Sequence, residues 1–427
     1  MPDKKSIIPK SCTSGVICFI GLISFTISLW LIKKYDIENY TGGILSGLAF
    51  AIPIAILEYV KFKTFRRPST GLNFTLKNKL DIERVIIKLI GLYATLALIA
   101  IFYWLFPEYN SGMYESYWRL AKLLLKLIVF GSIPYFFLLD RFLIEPKESY
   151  WKVGMIVLGK WKGLYFAGLK DFFLGWLVKA FFLPLMFVSL CGNIGFIKAN
   201  TFNFLSNQFN FPGFFANMTN YIYTVDLVVV TVGYMLTLRI LDSHIRTVEP
   251  SFLGWYVALQ CYQPFWGALS GNYFAYAGTY TWERWLWDYH NIYVIWGILI
   301  LILLSIYSWA SISFGLRFSN LTNRGIITNG PFKFMRHPAY VSKNLSWWMA
   351  SVPFITNEGA LTGLKHCLLL LLVNSIYFMR AKTEEKHLSK DPDYVAYALA
   401  INQTGIFKVV YKIMPFLKYN PDMYKKD

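Results

Sequence analysis

Long apolar blocks separated by short polar segments dominate the chain, and the first of them cover 16–32, 42–60, 85–106 and 221–240. Each is close to the ~20 residues that span about 30 Å of hydrocarbon as a helix. Helices satisfy their own backbone hydrogen bonds, which the interior of a bilayer demands. The block 16–32 has no small-residue cleavage site and runs directly into Lys33-Lys34, so it is expected to stay as a membrane anchor.

Blocks at 15–32, 41–60, 85–106, 117–139, 172–196 and 221–241 predict six crossings. A further apolar run, 285–314, precedes Arg317, Arg324, Lys333 and Arg336, which places its end in the cytoplasm. That requires one more crossing, and 251–270 is the candidate. Gln260, Gln263 and Pro264 make it a poor lipid-facing helix, so it is expected to pack against other helices or line a cavity. Tyr273, Tyr276, Tyr280, Trp282, Trp285, Trp287 and Tyr289 then form an interfacial aromatic belt. Segments 341–356 and 360–379 predict a helical hairpin turning at Asn357-Glu358-Gly359. Its first arm is short, about 24 Å at 1.5 Å per residue. The expected fold is all-α, a polytopic transmembrane helical bundle of about ten crossings. Residues 1–245 would form an N-terminal multi-helix region, and 246–427 a core that contains the hairpin.

Composition agrees with embedding: 56% of the 427 residues are hydrophobic, 19% aromatic and 15% charged. Lys and Arg outnumber Asp and Glu by 42 to 24, a net charge of +18. The placement of these charges argues against nucleic acid. Lys61, Lys63, Arg66, Arg67, Lys77, Lys79 and Arg84 crowd one inter-block segment, whereas 107–116 has no Lys or Arg. Segment 140–171 is basic again, and 196–220 carries only Lys198. Such alternation places the basic loops in the cytoplasm, where they also meet anionic lipid headgroups. Cys12, Cys18, Cys191, Cys261 and Cys367 form no CxxC pair, and the five histidines show no ligand spacing, so no protein-bound metal is expected. No GxSxG elbow, phosphate-binding loop or dinucleotide fingerprint is present.

Two polar motifs flank the hairpin and therefore meet at one membrane face. Before it stand Gly330-Pro331 and Arg336-His337-Pro338-Ala339-Tyr340; after it stand Arg380 and Glu384-Glu385. Asn329-Gly330-Pro331 is a turn signal whose glycine lets a ligand approach the backbone. His337 precedes a proline, and Pro338 suits the first position of a helix. Free N–H groups at that helix start, with Arg336 beside them, favour a carboxylate. Glu384 and Glu385 are placed to accept an ammonium group, while Arg380 and Glu384 share a helix face. Carboxylate at one end and ammonium at the other is what the methionine part of S-adenosylmethionine presents.

The pattern GPxxxxRHPxY, a hairpin, then RxxxEE resembles the isoprenylcysteine carboxyl methyltransferase family and its phospholipid methyltransferase relatives, over roughly residues 285–410. The resemblance implies a membrane methyltransferase with S-adenosylmethionine as methyl donor, a cofactor pocket open to the cytoplasm, and a lipophilic acceptor arriving from the bilayer. It further implies that Gly330, Pro331, Arg336, His337, Pro338 and Tyr340 line the cofactor, with Glu384 and Glu385 at its amino end. Arg380 would orient an anionic acceptor such as the carboxylate of a prenylated cysteine-like group. A lipid amine would instead need His337 or a glutamate as proton acceptor. Family members often carry glycine two residues after the motif tyrosine, where this chain has Ser342 followed by Lys343. The first ~240 residues have no counterpart in the minimal family core. Arg246, Glu249 and Trp255 are candidate acceptor contacts, and Asp226 and Lys179 are charges inside apolar blocks. A membrane sterol or steroid reductase using NADPH shares a similar arginine–histidine segment and is the alternative enzyme. A non-enzymatic transporter or assembly protein is the alternative outside catalysis.

Overall fold

The apolar blocks fold as helices in a computed structural model that describes residues 8–76, 79–200 and 210–424. Lys77 and residues 201–209 of the 196–220 loop lie outside the described residues. In chain order the helices are α1 (Gly15–Lys34), α2 (Asn39–Phe62), α3 (Ile82–Leu105), α4 (Glu115–Asp140) and α5 (Ser149–Val157). Then come α6 (Leu169–Ala199), α7 (Phe211–Met235), α8 (Phe252–Leu259), α9 (Phe265–Ala268) and α10 (Trp282–Trp285). The C-terminal part comprises α11 (His290–Ile312), α12 (Pro338–Ser351), α13 (Ala360–Leu388), α14 (Pro392–Thr404) and α15 (Val410–Ile413). A two-residue antiparallel ribbon pairs β1 (Thr247–Val248) with β2 (Thr322–Asn323), Thr247 opposite Asn323.

Among the described residues, seven helices are long and apolar enough to cross a membrane: α1, α2, α3, the stretch Gly112–Asp140 that contains α4, α6, α11 and α13. The chain is thus an all-α polytopic bundle. α6 is its central post, with 56% of its apolar stretch buried against 22–33% in the other six. α7 packs along α6, α11 and α2; its 25 residues reach about 37 Å at 1.5 Å per residue. α12 has 14 residues, about 21 Å on the same basis.

Segment 251–270 does not form one helix. It breaks into α8 and α9 around Gln260–Pro264, because Pro264 has no amide hydrogen to continue the ladder. The broken piece is held by the bundle instead of lipid: Trp266 stacks on Trp347 of α12 at 5.1 Å, and Tyr262 donates a 3.2 Å hydrogen bond to Asn320.

Close approach elsewhere depends on glycine. A side chain at Gly91 would lie 1.9 Å from the Tyr150 carbonyl oxygen, and one at Gly154 would lie 2.0 Å from that of Ile87, so α3 and α5 touch backbone to backbone.

The polar ends of the helices are tied by buried arginines. Arg317 donates to both carboxylate oxygens of Glu58 on α2, at 3.0 and 2.8 Å, and to the carbonyls of Asp242 and Leu241. Arg324 is likewise buried and donates to the carbonyls of Gly233, Leu236, Ser243, Leu316 and Phe318. It thereby closes the end of α7 against the segment after α11. Burial works against the Asp242 carboxylate. A hydrogen bond from Ser69 and the charges of Arg317 and Arg246 outweigh that and hold it below the usual range. The N-terminal arm joins the same knot: Cys12 N–H donates to the Ile326 carbonyl, and Asn329 donates to the Thr13 carbonyl.

Exchanging Arg317 for Met leaves Glu58 buried without its counter-charge and is expected to cost about 3–5 kcal/mol. Adding Glu58→Gln should recover part of the loss. Thermal unfolding of the full chain in detergent checks both, and an R317M protein as stable as wild type contradicts the clasp.

Candidate active site

α13 is 29 residues long, about 43 Å, and so outruns an apolar layer of about 30 Å. Its final turns carry Arg380, Lys382, Glu384, Glu385 and His387. The start of α12 lies beside them, because the two helices form the expected hairpin. Asn374 of α13 donates to Asn344 of α12 and accepts from Trp348 at 2.7 Å, a polar tie between helices that are otherwise apolar.

Between these ends lies a cavity of about 200 Å³. Its polar end is lined by Arg336, His337, Pro338, Tyr340, Arg380, Glu384 and His387, and its far end by Asp226, Tyr307, Lys343 and Tyr377. Met186 of α6 and Asp226 and Val230 of α7 complete one wall, so the region before residue 246 forms part of the enclosure.

The two adjacent glutamates diverge, since neighbours on a helix are about 100° apart. Glu384 turns to the cavity with 28% of its side chain exposed; it accepts from the Tyr340 hydroxyl and lies 3.5 Å from Arg380 Nε. Glu385 is buried on the other side. Arg336 reaches it at 3.1 Å, His337 Nε2 at 3.1 Å, Lys382 at 3.0 Å and the Tyr424 hydroxyl at 3.2 Å. Burial opposes the Arg336 charge, but Glu385 beside it raises its pKa above the ordinary arginine value.

His337 stands just outside α12, Pro338 is its first residue, and no side chain caps the helix start. The first-turn N–H groups are left facing outward from the helix end. His337 and Tyr340 stack, with ring centroids 5.7 Å apart and planes 8° from parallel. Arg380 is buried, donates to Asn320, and lies over the rings of Tyr340 and Tyr262 at 5.1 and 5.5 Å. Its Nε has no hydrogen-bond partner.

Residues 292–390 match the isoprenylcysteine carboxyl methyltransferase (ICMT) family. No curated protein and no solved structure matches the chain. The match joins the apolar helices in supporting a membrane methyltransferase. The family segment starts in α11 and runs just past the end of α13, so it contains both polar motifs and the hairpin between them.

The structure brings Arg336, His337, Pro338, Tyr340, Arg380 and Glu384 to one cavity and sets Gly330, Pro331 and Glu385 outside its lining. Gly330 serves packing: its backbone has φ +57°, and a side chain there would lie 2.2 Å from Ser313 Oγ below α11. Glu249 lines the cavity and accepts from Ser251 N–H at 2.9 Å. Arg246 instead pairs with Asp242 at 3.3 Å, and the Trp255 indole donates to the Glu249 carbonyl at 2.8 Å. Of the two intramembrane charges, Asp226 faces the cavity, whereas Lys179 lies over Trp176 at 3.5 Å away from it. Tyr262, Tyr307, Asn320 and Tyr377 line the site without having been singled out from sequence. Each sits in an apolar or loop stretch with no motif around it.

Glu385→Gln is expected to lower stability by about 3 kcal/mol or more, because it strands Arg336 beside a neutral amide. Glu384→Gln, at the partly open edge, should cost about 1 kcal/mol. Thermal unfolding without ligand compares the two; equal losses would show that both glutamates serve the same packing role.

Proposed function

We propose that this cavity binds S-adenosylmethionine and that the protein transfers its methyl group to a lipophilic acceptor drawn from the bilayer. The observation that carries the reading is the meeting of an uncapped helix start at His337-Pro338 with the open carboxylate of Glu384 across one cavity. One side offers N–H donors to a carboxylate and the other offers an acceptor to an ammonium. The unpartnered Nε atoms of Arg336 and Arg380 add donors that the protein itself leaves unused. The residues present therefore fit the two charged ends of the methionine portion. When bound, S-adenosylmethionine supplies an electrophilic methyl group on a sulfonium.

The chain's own residues do the positioning. Tyr340 holds Glu384 through its hydroxyl, and the stacked His337 fixes the plane of the Tyr340 ring. Glu385 neutralises Arg336 and contacts His337 Nε2 from behind, keeping the 330–340 segment against the end of α13. Arg380, buried next to Asn320, orients an anionic acceptor. An ionised acceptor needs no base, so alignment and exclusion of water supply most of the acceleration. By the charge of the surrounding loops, the pocket and the C-terminus face the cytoplasm.

Calorimetry on the full chain in detergent should give heat with S-adenosylmethionine and none with NADPH. His337→Ala and Glu384→Ala are each expected to weaken that binding about 10-fold or more, near the loss of one charge-assisted hydrogen bond. Heat with NADPH alone would overturn the reading in favour of a reductase. Undiminished binding in both variants would place the cofactor elsewhere.

A further inference from the structure

The far end of the cavity holds a group of side chains for which the cofactor reading has no use. Lys343 lies three residues after Tyr340 on α12, one turn further from the polar end and on the same face. Its ammonium sits among three rings, Tyr307 at 5.2 Å, Trp347 at 5.5 Å and Tyr377 at 5.9 Å. These contacts locate the charge by cation–π attraction but accept no hydrogen bond in the ordinary sense. Among the described residues, no hydrogen bond or ion pair reaches the Lys343 ammonium.

Asp226 stands across the cavity on α7. It is almost fully buried, and both its oxygens are taken, one by the Tyr307 hydroxyl and the other by Ser311. It therefore attracts Lys343 through space without pairing with it. Of the other carboxylates along the cavity, Glu249 accepts from Ser251, and one oxygen of Glu384 accepts from Tyr340 beside Arg380. At this end, among the described residues, the Lys343 ammonium has no hydrogen-bond acceptor, and Arg380 Nε makes no hydrogen bond, with Glu384 3.5 Å from it. The Lys343 cation, in a cavity whose lining also includes Met186, Val230, Phe314 and Phe318, lacks the counterpart that an anion would supply.

Resting on the methyl-transfer reading above, we propose that Lys343 is the positioning residue that anchors the anionic oxygen of the acceptor, an acidic lipid entering from the membrane side. Asp226 and Tyr307 hold Lys343 in place, and Arg380 takes the second oxygen or the neighbouring polar group. An oxyanion held there needs no proton removed: the O–CH₃ bond forms as the S–CH₃ bond breaks, with the electron pair leaving on sulfur. Asp226 and α7 lie before residue 246, so the part of the chain outside the family match takes part in choosing the acceptor.

The test uses the full chain in nanodiscs of zwitterionic phospholipid, with radiolabelled oleate, oleylamine and oleyl alcohol as chain-matched probes. Oleate should bind at least tenfold more tightly than either of the others. Lys343→Met should weaken oleate at least tenfold while leaving S-adenosylmethionine affinity within twofold, and Lys343→Arg should restore most of it. Lys343→Gln repeats the measurement should the Met variant fail to bind either ligand. Oleate binding unchanged in Lys343→Met, or a preference for oleylamine, overturns the proposal; the latter would assign this end to Asp226 as a cation site. Lys343-dependent oleate binding in a protein that never binds S-adenosylmethionine would sink the methyl-transfer reading while leaving the anion site standing.

Discussion

Burying a guanidinium is costly unless its donors find acceptors, and this fold is organised around two places where they do. Arg317 joins α2 to the segment after α11 through Glu58 and Asp242. Arg324 gathers carbonyls from the end of α7, the 236–243 loop and the segment after α11. Removing either side of such a contact leaves an uncompensated buried charge, which is costly in a way that lost apolar area at the lipid face is not. The N-terminal helices and the family segment are therefore locked at their polar ends, where the cavity opens.

That lock explains how a site assembled from distant residues keeps its shape. The N-terminal arm holds Ile326 and Asn329, just before the 330–340 segment, through Cys12 and Thr13, and Glu385 of α13 holds the segment itself from the side. α12 is too short to carry its own position, and the Asn344–Asn374–Trp348 tie fixes it against α13. Between helices in lipid, burial of apolar area gives little direction, so a few polar contacts and close glycine approaches decide the geometry. Gly91 against Gly154 does for α3 and α5 what the asparagines do for the hairpin.

The two glutamates illustrate why motif reading stops short of roles. Glu384 and Glu385 are equivalent as letters, and both suggest an ammonium partner. Helical geometry turns one to the cavity and the other into a nest of Arg336, His337, Lys382 and Tyr424. Gly330 is similar: its φ of +57° bears out the turn that Asn329-Gly330-Pro331 signals, yet the missing side chain makes room for Ser313. Conversely Tyr262, Tyr307, Asn320 and Tyr377 carry no periodicity or spacing that marks them, because a tyrosine in an apolar block looks the same whether it meets lipid or a cavity.

Block length and composition by themselves determined an all-α membrane bundle, since backbone hydrogen bonding in hydrocarbon permits little else. The two motifs on either side of 341–379 likewise determined that Arg336, His337, Tyr340, Arg380 and Glu384 would meet, because a hairpin returns to the face it left. Tertiary structure decided what lies across from them. The break at Pro264, the turn of Asp226 inward and the placing of Lys343 among three rings depend on contacts between elements far apart in sequence, 81 and 85 residues in the case of Asp226. Such contacts are set by which faces pack together, and hydrophobic blocks that are apolar all round do not encode their facing from within.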